Sequence, residues 1–470
     1  MKSKVVLLGF CLLLLYIGVT GCGQVLKQSI NPEQNIQTKI VAGKVNNILS
    51  PGAPISSAIV LAGQKSALSE NDGSYQLSGI SSEVRTISSA ANGFAAVTIP
   101  LSGEVINIPM GITSASSYSP VTGTSIIRGR LIDSSGNPIS GGIYGSNDKA
   151  KIDIVFENSG YSSIPYWNDG TFSVGIEYRG NIDAQNGYII VIYEESTGTY
   201  KAAIKEITAH KGITLEVGDI LLNEPAVAIT GAITPQNGFN TTGVSCMIVS
   251  PAAEEIRVTY VYNGHGISGN SYVMYVPATP AGTKYNMLAW FGNGSDLSLK
   301  YQKDLFLSSG QDYVVNLAMP TTISPTVPTA NQAGIEAAPI IKWTSMGEEN
   351  KYWIFVGKGS EIIWHGITDG ISIEYPKFPA DSVGGTTNLQ SGQEYYLRII
   401  GFNPNINMCD IKYEELMNYT DYYQTGSIPF VVGSASSVSI NSFNMYEKQL
   451  FDEKVNNILE SMKILPKRLY

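Results

Sequence analysis

The chain has 470 residues, too many for one hydrophobic core and suited to roughly three to four domains. Gly (48 residues) and Tyr (27) are abundant while only 15% of residues are charged, a mixture that favours strands and turns over helix. The formal net charge of −9 argues against a nucleic-acid partner, because phosphates would be repelled.

The chain begins MKSKVVLLGFCLLLLYIGVTGCGQ. Lys2 and Lys4 form a basic start, and the apolar run from Val5 to Ile17 is short for a bilayer-spanning helix. The run ends in VTGC, which resembles the lipobox of bacterial lipoproteins. That resemblance implies a signal peptide over 1–21, cleaved so that Cys22 becomes the lipidated first residue; an ordinary secretory signal is the alternative. Acyl chains on one residue anchor a protein without a transmembrane helix. No later stretch of the sequence is apolar for long enough to span. Cleavage removes two lysines and no acid, so anionic headgroups repel the remaining body and anchorage falls to the lipid on Cys22. Gly23 stands where an Asp would favour retention in an inner membrane, which favours the outer membrane of a two-membrane envelope. Residues 22–38 are polar without a sustained period and read as a tether.

Three later stretches open alike. IVAGKV (40–45), IIRGRL (126–131) and AITGAI (228–233) each alternate apolar residues around a glycine, as a strand does. In the first two, a proline turn follows (PGAPI at 51–55, SGNPI at 135–139), and then a repeated Asn-Asp-Gly in ENDGSY (70–75) and NDGTF (168–172). All three stretches close with a glycine before alternating apolar residues, from Gly103, Gly212 and Gly310. Asp-Gly between alternating runs predicts a hairpin, because Gly73 and Gly170 can take the positive φ it requires. Tyr75 and Phe172 then start the next strand and point inward. A calcium loop would need more oxygen ligands and a late bidentate acid. Only Glu70 and Asn71 adjoin Asp72, and only Asn168 adjoins Asp169, so no metal is expected.

GKVNNILSPGAPISSAIVLAG followed by ENDGSYQLSGI resembles the carboxypeptidase regulatory-like domain, a seven-strand transthyretin-like sandwich that contains no peptidase site. The resemblance covers 39–111 throughout. After a linker at 112–123 it continues, with an insertion, over 124–225. It is thinnest over 226–320, where VPATPAGTKYNMLAWF is similar to the family's late segment.

A Pro- and Thr-rich linker at 321–334 leads to a different unit over 335–434, in which APIIKW (338–343), KYWIFV (351–356) and IIWHG (362–366) read as strands. NLQSGQEYYLRIIGF (388–402) resembles the L-x-x-G-x-x-Y-x-x-R segment of fibronectin type III domains. This implies a tyrosine corner at Tyr395 and places in the sandwich core for Trp343 and Trp353. NPNINMCDIKYEELMNYTDYYQTGS is an insertion outside that pattern. In the tail, 435–470, Phe451, Val455, Ile458, Met462 and Leu465 recur at helical spacing and predict an amphipathic helix packed on the last unit. KVNNIL occurs at 44–49 and again at 454–459, read as strand then turn in one context and as helix in the other. The expected fold class is all-β, with tandem Ig-like and transthyretin-like β-sandwiches and a short C-terminal helix.

Signs of chemistry are few. His210, His265 and His365 fall in three different units, each without a second ligand at metal spacing. No G-x-S-x-G, H-E-x-x-H or phosphate-binding glycine loop occurs. Acidic doublets such as Glu194-Glu195 cannot converge on one bond from a strand, whose neighbours face opposite ways. Neither a catalytic residue nor a cofactor is expected. Cys246 and Cys409 lie in different units and read as single thiols. Tyr161, Tyr166 and Trp167 cluster with Gly and Ser beside NDGTF and are the candidate ligand contacts, Trp167 first, because exposed aromatic faces stack on sugar rings. Tyr352, Trp353, Trp364 and Tyr375 read as core. The expected protein is a non-enzymatic, lipid-anchored bacterial envelope protein whose sandwiches act as spacer and interaction modules. Its partners are the membrane, through Cys22, and a glycan or another envelope protein. The alternative is a carbohydrate-binding surface lipoprotein.

Overall fold

The computed structural model describes residues 38–47, 53–111, 121–139, 149–156, 160–161, 164, 166, 169–179, 182–234, 243–249, 271–293, 296–347, 350–403, 421–433 and 445–461. Cys22, Trp167, His265 and Cys409 lie outside these residues, and the side chain of Cys246 is not described. The architecture is all-β with one helix near the C-terminus. No helix among the described residues is long and apolar enough to cross a membrane.

One three-stranded sheet recurs three times. Its central strand is Thr38–Asn47, then Val121–Asp133, then Val227–Thr234. Each central strand has an antiparallel neighbour on one side (Ser74–Ser81, Thr171–Arg179, Ser271–Val276). A short or broken closing strand lies parallel to it on the other side: Ile108–Met110, Thr214–Leu222, and Tyr313–Val314 with Leu317–Ala318. The glycine of each opening motif faces an aromatic in register, as Gly43↔Tyr75, Gly129↔Phe172 and Gly231↔Tyr272. A Cβ at Gly43 would overlap the Ile106 carbonyl oxygen, and one at Gly231 would overlap that of Val315. Those same oxygens accept hydrogen bonds from Tyr75 Oη (2.7 Å) and Tyr272 Oη. In the second unit a Cβ at Gly129 would instead meet the Phe172 ring at 2.6 Å. The glycine is there because something passes directly over it.

The Asp-Gly turns form; the first does not make a hairpin, whereas across the second Tyr166 bridges Phe172 antiparallel. Gly73 and Gly170 take φ of +77° and +76°, and Tyr75 and Phe172 are buried as expected. The strand before the first turn, Lys65–Leu68, pairs with Ile59–Ala62, whereas the strand after it pairs with Thr38–Asn47. The turn therefore carries the chain from one sheet to the other. Backbone bonds from Val45 N–H to Gly73 (2.8 Å) and from Leu131 N–H to Gly170 (2.9 Å) pin both turns against the central strands.

The second unit completes its sandwich with a sheet of its own, ordered Gly160–Tyr161, Ala150–Phe156, Ala184–Ser196, Thr199–His210, Glu224–Pro225. The first, third and last units do not. Their second sheets join into one 13-stranded sheet. Ala96–Pro100 of the first unit runs parallel to Glu361–Thr368 of the last, and Asp296–Leu305 of the third runs antiparallel to Asp421–Gln424. Lys351–Lys358 and Glu394–Phe402 lie between these two seams.

The last unit's strands fall where the sequence predicts them, and two expectations about that unit are corrected. The stretch 321–334 is not a free linker: Pro325–Val327 pairs with Ile340–Trp343, and Gln332–Ile335 pairs with Ile428–Val432. Pro325 sits on an edge strand, where a missing N–H costs little. Trp343 is in the core between the last unit's two sheets, but Trp353 faces the other way. The alternation of KYWIFV puts Tyr352, Ile354 and Val356 into the sandwich, and Trp353 and Phe355 against the opposite face. That face is covered by the helix Met445–Ser461 and by the first unit's core. Phe451, Val455 and Leu459 form the helix's buried stripe. Ile458 has no described side chain, and Met462 and Leu465 lie outside the described residues.

Candidate functional site

The expected aromatic site is only partly on view. Tyr161 sits on a two-residue strand opposite Ile154, with its side chain not described. Tyr166 is a correction: its ring is 2% exposed in the second unit's core, and its hydroxyl accepts the Ala150 N–H at 3.1 Å. A ring held in that way offers no face to a ligand. At the adjoining turn, the Asp169 carboxylate accepts from the Thr171 hydroxyl (2.6 Å) and N–H (3.1 Å). Asp72 likewise accepts the Ser74 N–H (3.0 Å) and pairs with Lys44 (3.1 Å). Hydrogen bonds from Ser74 and Thr171 hold both carboxyls below the usual range. Each carboxylate is thus occupied in closing its own turn. Among the described residues no group of three or more His, Cys, Asp or Glu is placed to hold a metal ion.

The two seams hold the densest buried polar chemistry. At the first, Trp364 Nε1 donates to Thr98 Oγ1 (3.0 Å), which in turn bonds Ser88 Oγ (2.8 Å). Beside it the His365 ring packs against both Trp353 and Phe355, at centroid distances of 5.7 and 6.1 Å, and is 1% exposed. Trp353 Nε1 points at its Nδ1 (3.1 Å), and the Gly111 N–H, from the end of the first unit, points at its Nε2 (3.4 Å). Burial pushes the imidazole down to about 3.

At the second seam, Lys300 and Asp421 meet across the junction at 2.8 Å, both largely buried. Asp296, at the start of the same strand, accepts the Gly426 N–H, and burial pushes its carboxyl upward. Arg398, fully buried, reaches from this sheet to the helix: it donates to the Asp452 carbonyl (2.9 Å) and carboxylate (3.2 Å) and to Asn456 Oδ1 (2.8 Å). Ser427 Oγ donates to the same Asp452 carboxylate. Arg398 Nε has no partner among the described residues. A third contact joins the second and third units, where Tyr200 stacks on Tyr275 (3.8 Å) and Val155, Tyr188 and Ile190 share one core with Val227, Ile229 and Met274.

Sequence reasoning reached Trp353 and Trp364 only as core residues and His365 only as a histidine without a second ligand, because no local motif marks a junction. What the arrangement does is join units.

No family model matches the chain, and no curated protein matches it in sequence. Solved structures that are similar in part include a DUF3823 family protein from Parabacteroides merdae, 8% identical over 66% of this chain and 98% of that one, with a TM-score of 0.15. Another is a putative carbohydrate binding protein from Bacteroides uniformis (14% identity, 44% of this chain, 99% of that one, TM-score 0.17). A third is a streptococcal ancillary pilin (9%, 60% and 99%, TM-score 0.14). With such scores the likeness does not reach the shape of the whole chain, and it assigns no activity.

Proposed function

We propose that this chain is a non-enzymatic envelope protein, lipid-anchored at Cys22, whose sandwiches work as one interaction scaffold rather than as separate spacer beads. The observation that carries this reading is the sheet that runs through the first, third and last units, with an apolar core beneath it. Polar groups at the seams are spent on holding units together, which suits a body that presents surface rather than one that turns over substrate. The unit bounds 39–111, 124–225, 226–320 and 335–434 belong to the same proposal, as do their types. The thrice-repeated sheet order supports carboxypeptidase regulatory-like sandwiches in the first three. In the last unit, the Gln390 N–H donates to Tyr395 Oη at 2.9 Å, which supports a tyrosine corner and a fibronectin type III-like sandwich.

Anchoring is tested by fractionating cells that make Cys22→Ser. The variant should leave the membrane fraction and lose incorporation of labelled fatty acid; retention of both would overturn the lipid anchor. The partner is sought by screening residues 23–470 against a glycan array. Glycan binding through Trp167, two residues before Asp169 in the sequence, is the second reading, since rigid sandwiches hold binding residues on their end loops. On that reading Trp167→Ala weakens binding by about 1–3 kcal/mol, by analogy with bases stacked on aromatics, and leaves the fold intact. An array with no hits leaves a protein partner as the remaining class.

A further inference from the structure

The first seam contains a buried histidine in an unusual setting. A neutral imidazole offers one acceptor nitrogen and one N–H, and an imidazolium offers two N–H groups. Around His365 both nitrogens face donors, Trp353 Nε1 at 3.1 Å and the Gly111 N–H at 3.4 Å. The neutral ring can accept one of these bonds. The protonated ring can accept neither, and would press N–H against N–H on both sides.

The two donors come from different units: Trp353 from the last, and Gly111 from the closing end of the first. His365 itself lies on the seam strand, paired with Val97 in parallel register. We infer that His365 is an acid-sensitive latch, so that protonation of its ring releases the first unit from the last while each unit's own sandwich persists.

The surroundings leave the proton no compensation. Strand Lys351–Lys358 presents the Trp353 and Phe355 rings to the imidazole, and strand Ala96–Pro100 pairs with it through Val97. The helix packs on the same strand with Phe451, Val455 and Leu459 as its buried side chains. Its Glu447 carboxylate lies near Gly359, in the turn before the seam strand. Desolvation alone acts on the ring, with no charged group contributing. The sign follows from this. The docked pKa, about 3, lies below the ordinary 6.5, so the latch is fully closed above pH 6.5 and loosens as pH falls toward 3. Across that window the docking equilibrium should weaken about tenfold per pH unit.

The test is amide hydrogen exchange of residues 23–470 between pH 7 and 4.5, corrected for intrinsic rates. Protection at Ala96–Pro100 and Glu361–Thr368 should fall about tenfold per unit below pH 6.5. Protection at Ala184–Ser196, inside the second unit, should hold. His365→Phe, which keeps an aromatic ring but cannot be protonated, should flatten the pH profile at the seam. If the variant fails to fold, histidine-labelled NMR on the native chain replaces it. The His365 resonance should then change only as seam protection is lost. Identical seam profiles in wild type and variant, or a His365 ring that titrates near 6.5 with the seam still protected, would overturn the latch.

Discussion

Gly231 and Tyr272 show how one residue pair can identify a repeat. The third unit is the one whose sequence departs furthest from the other two, yet its glycine faces its tyrosine in the same register as Gly43 and Tyr75. The closing strand's carbonyl occupies the space a Cβ would need. Gly231→Ala must therefore push that strand away, an overpacking cost of about 1–3 kcal/mol or more. Tyr272→Phe leaves the ring in place and removes the hydroxyl, whose bond to Val315 is worth about 1 kcal/mol. Urea unfolding of the two variants checks the order; a Gly231→Ala protein as stable as wild type would remove the steric reason for the glycine. The glycine amid alternating apolar residues was legible in the sequence, but its cause was not, because the obstructing carbonyls of Ile106 and Val315 lie 63 and 84 residues further along the chain. Tyr166 was misread for a related reason. Its segment mixes polar turn formers with apolar residues, and its place opposite Phe172, in one core with Ile164, puts the ring inside.

At the scale of elements, the helix was legible and its lock was not. Spacing alone predicted an apolar stripe, and Phe451 and Val455 lie in it. The KVNN that ends a strand at Lys44 to Asn47 lies within the helix at Lys454 to Asn457, so packing decides its form rather than propensity. Arg398 is different: a buried guanidinium needs a partner, and Asp452 is the charged group that answers it. Asp452→Ala leaves that charge uncompensated and should cost about 3–5 kcal/mol, whereas pairing Arg398→Met with Asp452→Leu should recover most of the loss. Thermal melts, with exchange measured over Met445–Ser461, read both. Wild-type melting in Asp452→Ala would mean that apolar packing alone holds the helix. Asp-Gly was read correctly as a turn at both places, but wrongly as a hairpin at Asp72-Gly73, since the positive φ is a local property and the choice of partner strand is not.

At the scale of the molecule, the β class and the threefold recurrence of one sheet could be read from repeats, turns and alternation. The seams could not, because pairing between edges hundreds of residues apart leaves no local pattern. One indirect sign was present. KYWIFV and EYYLRIIGF are apolar almost throughout, as strands are when both faces are covered, and a lone sandwich would leave one face to water. The first unit and the helix supply that second cover. The central claim is thus that the seam strands are paired like interior strands. Hydrogen exchange at pH 7 on residues 23–470 tests it most directly, at Ala96–Pro100 with Glu361–Thr368 and at Asp296–Leu305 with Asp421–Gln424. The account predicts protection at both seams as slow as at Lys351–Lys358 between them. Exchange at the rate of open sheet edges, with Lys351–Lys358 still protected, would mean that the units are separate beads and would contradict it.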